Sequence, residues 1–227
     1  MATFVLVHGG GFLIGSRGMK PMRWLATRLV ESGYAVMAFD YRLIFRGGRL
    51  RGMLADVQAA LQWWHGQTAA FQLDGERVYV AGLSAGATLM LLSAADWPEG
   101  TVAGLCSIFG IYDFTYLTGW HTSLLRRWLF QTSDQAVWRA HSPITVARTP
   151  VPLLLVHGTG DEMVPLGHAE RLAGMRRSEG LPVETVILDG APHAFFNTQE
   201  LQPYADAALS AMVRFFGDPT PRPASIG

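Results

Sequence analysis

The sequence predicts an α/β domain, built on a mostly parallel sheet of about six strands with helices on both faces. Short runs rich in β-branched and apolar residues recur along the chain, and segments of helical spacing separate them. Hydrophobic residues make up 49% of the 227 residues and charged residues 16%, enough to bury a large apolar interior. Strand alternating with helix is the pattern of a parallel sheet covered on both sides.

The elements follow in order. TFVLV (3–7) is the first strand, and a helix is expected over 21–32 before AVMAF (35–39). A second helix over 53–66 leads to RVYVA (77–81), and the apolar helix 85–95 leads to AGLCSIF (103–109). PLLLV (152–156), a helix over 166–178, VETVIL (183–188) and a helix over 204–216 complete the pattern. Residues 111–149 break the rhythm. They carry aromatics and one expected helix around 124–139, and an interval of this length is expected to form a lid or pocket wall. One domain is expected over 1–217, with the proline-rich tail 218–227 frayed.

Eighteen basic and eighteen acidic side chains cancel, which removes the electrostatic footprint of a nucleic-acid or anionic-lipid binder. The single Cys106 lies in an apolar stretch and reads as a buried, inert thiol. No targeting segment opens the sequence and no apolar run approaches a membrane span, so a soluble, cytoplasmic protein is expected. With no H-E-x-x-H, no paired cysteines and no closely spaced histidines, no metal is expected.

The strand at 77–81 runs into GLSAG (82–86), and an apolar helix follows at once. This resembles the nucleophile elbow of α/β-hydrolases, a tight turn that projects a serine hydroxyl from the sheet while flanking glycines let backbone pass closely. Ser84 is therefore the candidate nucleophile. Serine needs a base to take its proton and an acid to orient that base. In such enzymes both follow the serine in sequence, each just past a later strand. HGTGDEMVP places Asp161 past the fifth strand and DGAPHAFF places His193 past the sixth. Glu162 is the rival acid, and a turn or helix cap is the other reading of Asp161. Of the remaining histidines, His65 and His168 read as solvated helix residues, and His121 and His141 fall in the insertion.

The first strand ends in HGGGF (8–12), a glycine run that lets backbone amides approach a developing oxyanion. Gly10 and Gly11 are the candidate donors, together with the amide of Ala85, and His8 reads as a structural residue holding the loop. A dinucleotide-binding loop fails on spacing, because Ile14 stands where G-x-G-x-x-G needs its last glycine. Asp40, in FDYRL, reads as a structural partner of Arg42.

With HGGGF, FDYRL, GLSAG, HGTGD and PHAFF in this order, nearly the whole chain resembles the hormone-sensitive-lipase-like branch of α/β-hydrolases and its bacterial carboxylesterase and arylformamidase relatives. The resemblance implies Ser84, Asp161 and His193 as triad, Gly10, Gly11 and Ala85 as oxyanion donors, and cofactor-free hydrolysis of short-acyl or aromatic carboxylic esters. It also implies an N-terminally shortened member, beginning at the strand before the glycine run without the family's first strands and cap, and so a more open acyl pocket. Leu83, where an Asp commonly precedes the serine, leans toward formamidase- and feruloyl-esterase-like members. The expected pocket walls are Phe12, Leu13, Tyr112, Trp120 and Phe195, with ordinary core packing as the competing assignment. An amide or formamide hydrolase with the same triad is the alternative, followed by a silent binding protein on the same fold. A homodimer paired along strand 183–188 is expected by analogy with relatives.

Overall fold

Apolar runs in the centre of a parallel sheet must be covered on both faces, and the chain meets that demand with alternating residues. A computed structural model describes residues 1–117 and 120–220, with the side chains of residues 120 and 121 outside that description. The strands are β1 (Thr3–Val7), β2 (Ala35–Phe39), β3 (Val78–Leu83), β4 (Gly104–Ile108), β5 (Leu153–Gly158) and β6 (Val183–Leu188). They form one parallel sheet in the order β2-β1-β3-β4-β5-β6. Every residue of β1, β3, β4 and β5 is buried, whereas the edge strands β2 and β6 are mostly half-buried.

Val5, Val7, Val78, Val80, Leu105, Leu153 and Leu155 face α2 (Leu50–Gln67), α3 (Ala85–Ala94) and α7 (Gly167–Ser178). Their neighbours Phe4, Leu6, Tyr79, Ala81, Cys106, Leu154 and Val156 face α1 (Lys20–Glu31) and α8 (Gln202–Phe216). This two-residue alternation feeds two apolar layers, and each fully buried Leu or Phe contributes roughly 1.5–3 kcal/mol by leaving water. Cys106 is buried among them, and burial pushes its thiol pKa up. No helix among the described residues is long and apolar enough to cross a membrane.

The chain leaves β1 toward β2, then returns to lay β3 on the other side of β1. Open parallel sheets bind ligands where the strand order reverses like this, in the crevice beyond the carboxyl ends of the strands. The glycine run after β1 and Ser84 after β3 both lie there.

Two expectations about the irregular parts change. The single helix expected around 124–139 is two, α4 (Trp120–Phe130) and α5 (Gln135–Ala140), followed by the short α6 (Pro143–Val146). Gln131 adopts φ 57°, which ends α4, and the Asp134 carboxylate accepts the Ala136 amide at 2.8 Å to start α5 anew. The tail was expected to fray from Asp218, yet Arg77 donates to the Asp218 and Thr220 carbonyls at 2.9 and 3.0 Å, and Ala2 N donates to Pro219 O at 3.1 Å. The rest of the tail, 221–227, lies outside the described residues.

Candidate active site

At the end of β3 the backbone turns sharply into α3. Ser84 carries it with φ 52° and ψ −117°, a left-sided conformation for a residue with a β-carbon that costs of order 1–3 kcal/mol. The surroundings hold the turn. Ser84 N donates to Ile108 O at 2.9 Å, and α3 packs so closely under β1 that a Cβ on Gly86 would lie 2.2 Å from Val7 O. A side chain there would push the helix off the sheet, which explains the glycine.

His193 approaches Ser84 from the loop after β6. Its Nε2 lies 3.1 Å from Ser84 Oγ and its Nδ1 lies 2.7 Å from Asp161 Oδ2, while the Phe109 ring packs against the imidazole at 4.8 Å. Asp161 is buried, and burial alone would raise its pKa. Hydrogen bonds from His157, His193 and the Val164 amide outweigh that and hold the carboxyl well below its usual range. Its other oxygen, Oδ1, accepts the Met163 and Val164 amides at 3.0 and 2.8 Å. An ionised Asp161 accepts a hydrogen bond from His193 Nδ1–H, which leaves the Nε2 lone pair facing the Ser84 hydroxyl. The rival acid Glu162 is exposed to solvent. Sequence reasoning overlooked His157, although it opens the HGTGD motif that located Asp161.

The glycine run lies directly against this turn, since a Cβ on Gly9 would meet Leu83 O at 3.0 Å and Ser84 Cβ at 3.4 Å. Gly10 sits at φ 117°, and its carbonyl accepts the amides of Leu13 and Ile14, both at 3.1 Å, to close a tight loop. The amides of Gly10, Gly11 and Ala85 donate to no acceptor among the described residues. His8 holds the loop from below. Its Nδ1 lies 2.7 Å from Gly9 O, and its ring stacks on Tyr41, whose hydroxyl donates to His8 O at 3.0 Å. Burial lowers the His8 pKa and favours the neutral ring.

Above Ser84 opens a cavity of about 580 Å³. Leu13 lines it, but Phe12, Tyr112 and Phe195 do not. All three are fully buried in the core: Phe12 packs near Phe114, the Tyr112 hydroxyl pairs with Ser107 Oγ at 2.7 Å, and Phe195 meets Phe109 edge-on. The Trp120 side chain lies outside the described residues. The walls come instead from Phe45, Phe109, Ile111, Leu125, Met163 and Phe196, and among the described residues no Asp, Glu, Lys or Arg lines the cavity. Phe109 and Met163 stand just past the ends of β4 and β5, the same signal that located Asp161.

Two further expectations are corrected. Asp40 pairs with Arg17, Oδ2 to Nη1 at 3.1 Å, because Arg42 turns away to form a forked pair with Asp56. His168 is buried rather than solvated, since α7 turns it inward, where its Nδ1 accepts the Tyr112 and Asp113 amides, each at 3.3 Å. Burial depresses its pKa from 6.5 to about 4. The unfolded chain therefore binds a proton at His168 between these values while the folded chain does not, and stability is lost as pH falls through that window. Urea unfolding should show a loss of about 3 kcal/mol from this group between pH 7 and 4, and His168→Asn, whose side-chain oxygen keeps an acceptor near Nδ1, should remove that part of the pH dependence.

A parallel sheet of this order, with a serine on a strained strand-to-helix turn at its switch point, defines an α/β-hydrolase fold. The chain belongs to the BD-FAE family, whose model matches residues 1–175. Among solved structures, a Thermogutta terrifontis esterase with propionate bound superposes with a TM-score of 0.78 at 24% identity, covering 98% of this chain and 86% of that one. A Pyrobaculum calidifontis esterase gives a TM-score of 0.81 at 23% identity over 95% of this chain and 76% of that one. Of curated relatives, esterase LipC of Mycobacterium tuberculosis is 32% identical over 217 residues, 85% of this chain and 53% of the relative. A probable isoprenylcysteine alpha-carbonyl methylesterase, ICMEL1 of Oryza sativa subsp. japonica, is 28% identical over 241 residues, 95% of this chain and 56% of the relative. The chain thus spans about half the length of these two curated relatives.

Proposed function

We propose that the protein is a carboxylesterase-type serine hydrolase acting on uncharged short-acyl or aromatic esters without a cofactor. The observation that carries this reading is the unbroken row Ser84 Oγ, His193 Nε2, His193 Nδ1 and Asp161 Oδ2, at 3.1 and 2.7 Å, at the foot of an apolar cavity. Ser84 Oγ attacks the ester carbonyl as His193 Nε2 takes its proton, and the Asp161 carboxylate stabilises the imidazolium that forms. The amides of Gly10, Gly11 and Ala85 receive the oxyanion, and losing one such donor typically costs about 10²–10³ in kcat. Collapse of the tetrahedral intermediate breaks the bond to the alcohol, which leaves with the proton from His193. Water then attacks the acyl-Ser84 ester by the same route and releases the acid.

The test is turnover of 4-nitrophenyl esters of increasing acyl length, beside labelling by a fluorophosphonate, which reacts with an activated serine. Turnover with labelling at Ser84 supports the reading; an inert protein that is not labelled defeats it. An amide or formamide hydrolase would use the same residues. The relatives named above are esterases, which favours the ester, and matched anilide and formyl-kynurenine substrates should turn over more slowly.

The uncharged cavity wall carries a specificity prediction. A carboxylate at the far end of the acyl chain would enter with no Lys or Arg among the described residues to meet it and would lose its hydration. Replacing 4-nitrophenyl hexanoate by the mono-4-nitrophenyl ester of adipic acid should therefore lower kcat/KM by about 30- to 100-fold, corresponding to 2–3 kcal/mol of unpaired charge burial. Equal rates would mean that the acyl chain avoids this cavity.

A further inference from the structure

Asp161 Oδ2 has a second neighbour besides His193. His157, the fifth residue of β5, places its Nε2 at 3.3 Å from that oxygen and at 2.7 Å from Val164 O, with its side chain fully buried. A carbonyl only accepts, so Nε2 must carry the proton, and its one N–H is shared between Val164 O and the Asp161 carboxylate. Val164 N in turn donates to Asp161 Oδ1 at 2.8 Å. The result is a closed ring of contacts through His157, Val164 and Asp161 that pins the loop after β5 and the carboxylate within it.

The face behind His157 is also buried and polar. With Nε2 protonated, His157 Nδ1 is a bare acceptor, and it has no partner among the described residues. His168, whose Nδ1 accepts two backbone amides, must carry its proton on Nε2, and that atom is likewise buried without a partner. His157, Asp161 and His168 are all buried. Two buried histidines in single tautomers of opposite hydrogen-bonding sense are more than a solvated loop needs.

We propose that His157 is a positioning residue for the hydrolytic site: it shares its Nε2 proton with Asp161 Oδ2 and so aims that oxygen at His193. The proposal rests on the reading of Ser84, His193 and Asp161 given above. Partners that orient a functional side chain from behind typically matter by about 10- to 100-fold in activity.

The test compares His157→Leu, His157→Gln and His157→Asn for kcat and KM on 4-nitrophenyl butyrate, with thermal unfolding and the low-field proton resonance of His193 Nδ1–H recorded for each. Glutamine places an amide donor near the position of Nε2; asparagine, one carbon shorter, places it near Nδ1. Positioning predicts that leucine lowers kcat by about 10- to 100-fold with KM within threefold, that glutamine recovers most of the loss, and that asparagine does not. It also predicts that the His193 resonance weakens or shifts in the leucine variant and returns in the glutamine variant. Should the leucine variant fail to fold, the glutamine and asparagine pair decides, and equal activities of those two overturn the proposal. A leucine variant with unchanged kcat, or losses that track thermal stability alone, also overturns it. If the wild type neither hydrolyses esters nor reacts with a fluorophosphonate, the functional reading fails instead, and the resonance still reports whether His157 orients Asp161.

Discussion

Ser84→Ala is expected to lower kcat/KM for 4-nitrophenyl butyrate by at least about 10⁴-fold while leaving the fold intact. In the proposed reaction Ser84 Oγ is the atom that forms the acyl bond, and His193 Nε2 has no other hydroxyl partner among the described residues. The argument for an intact fold is that alanine keeps the β-carbon at φ 52°, and the turn is held by the Ile108 carbonyl and the packing of Gly86, none of which involves the hydroxyl. What disappears is one partly buried contact to His193, worth about 1 kcal/mol. Steady-state kinetics, circular dichroism and fluorophosphonate labelling on the same preparation check the prediction. A variant that retains a tenth of the activity would remove Ser84 from the mechanism.

The reason so much of this site was readable from sequence is that it is written at strand ends. In a parallel sheet every strand's carboxyl end points to one edge, so an unusual residue just past an apolar run is placed in space by the run itself. GLSAG, HGTGD and PHAFF each follow a strand in this way, and Ser84, Asp161 and His193 meet although 109 residues separate Ser84 from His193. The cavity wall was not readable by that logic. Phe12 and Leu13 are neighbours in sequence, yet Phe12, at φ 66°, turns into the core while Leu13 faces the cavity. Tyr112 is held inward by its bond to Ser107, a partner only the sheet brings near.

The buried histidines were hidden for a different reason. His157 stands in LLLVHG, a run buried on both faces, where no alternation distinguishes a residue facing Asp161 from one facing a helix. His168 lies on a helix rich in charged residues, GHAERLAGMRRS, whose inward stripe also takes in Arg176. Arg176 is buried with its guanidinium donating to the carbonyls of Ala147, Thr149, Val151 and Pro182, and burial lowers its pKa to about 10. Polar side chains of this kind become core residues only when the backbone supplies their partners, and a sequence does not display where spare carbonyls and amides converge.

Asp161→Asn is the second large effect expected, and its direction follows from which donors can move. The amides of Met163 and Val164 are fixed in the backbone and need an acceptor where Oδ1 now stands. The asparagine oxygen must therefore stay there, and its NH₂ group takes the place of Oδ2, 2.7 Å from His193 Nδ1 and 3.3 Å from His157 Nε2. Toward His193 the NH₂ group donates, so Nδ1 must accept, and the ring proton moves to Nε2. There it points at Ser84 Oγ, and the proposed base has become a donor with scarcely any change in geometry. This exchange should lower kcat by about 10⁴-fold with KM little changed. Toward His157 two donors now face each other, so a measurable loss of thermal stability should accompany the loss of rate. Glu162→Gln is the control: the side chain is exposed, and activity should remain within about twofold, as for surface changes away from a site. If Asp161→Asn keeps activity within tenfold while Glu162→Gln loses it, Glu162 is the acid and the tautomer argument fails at its first step.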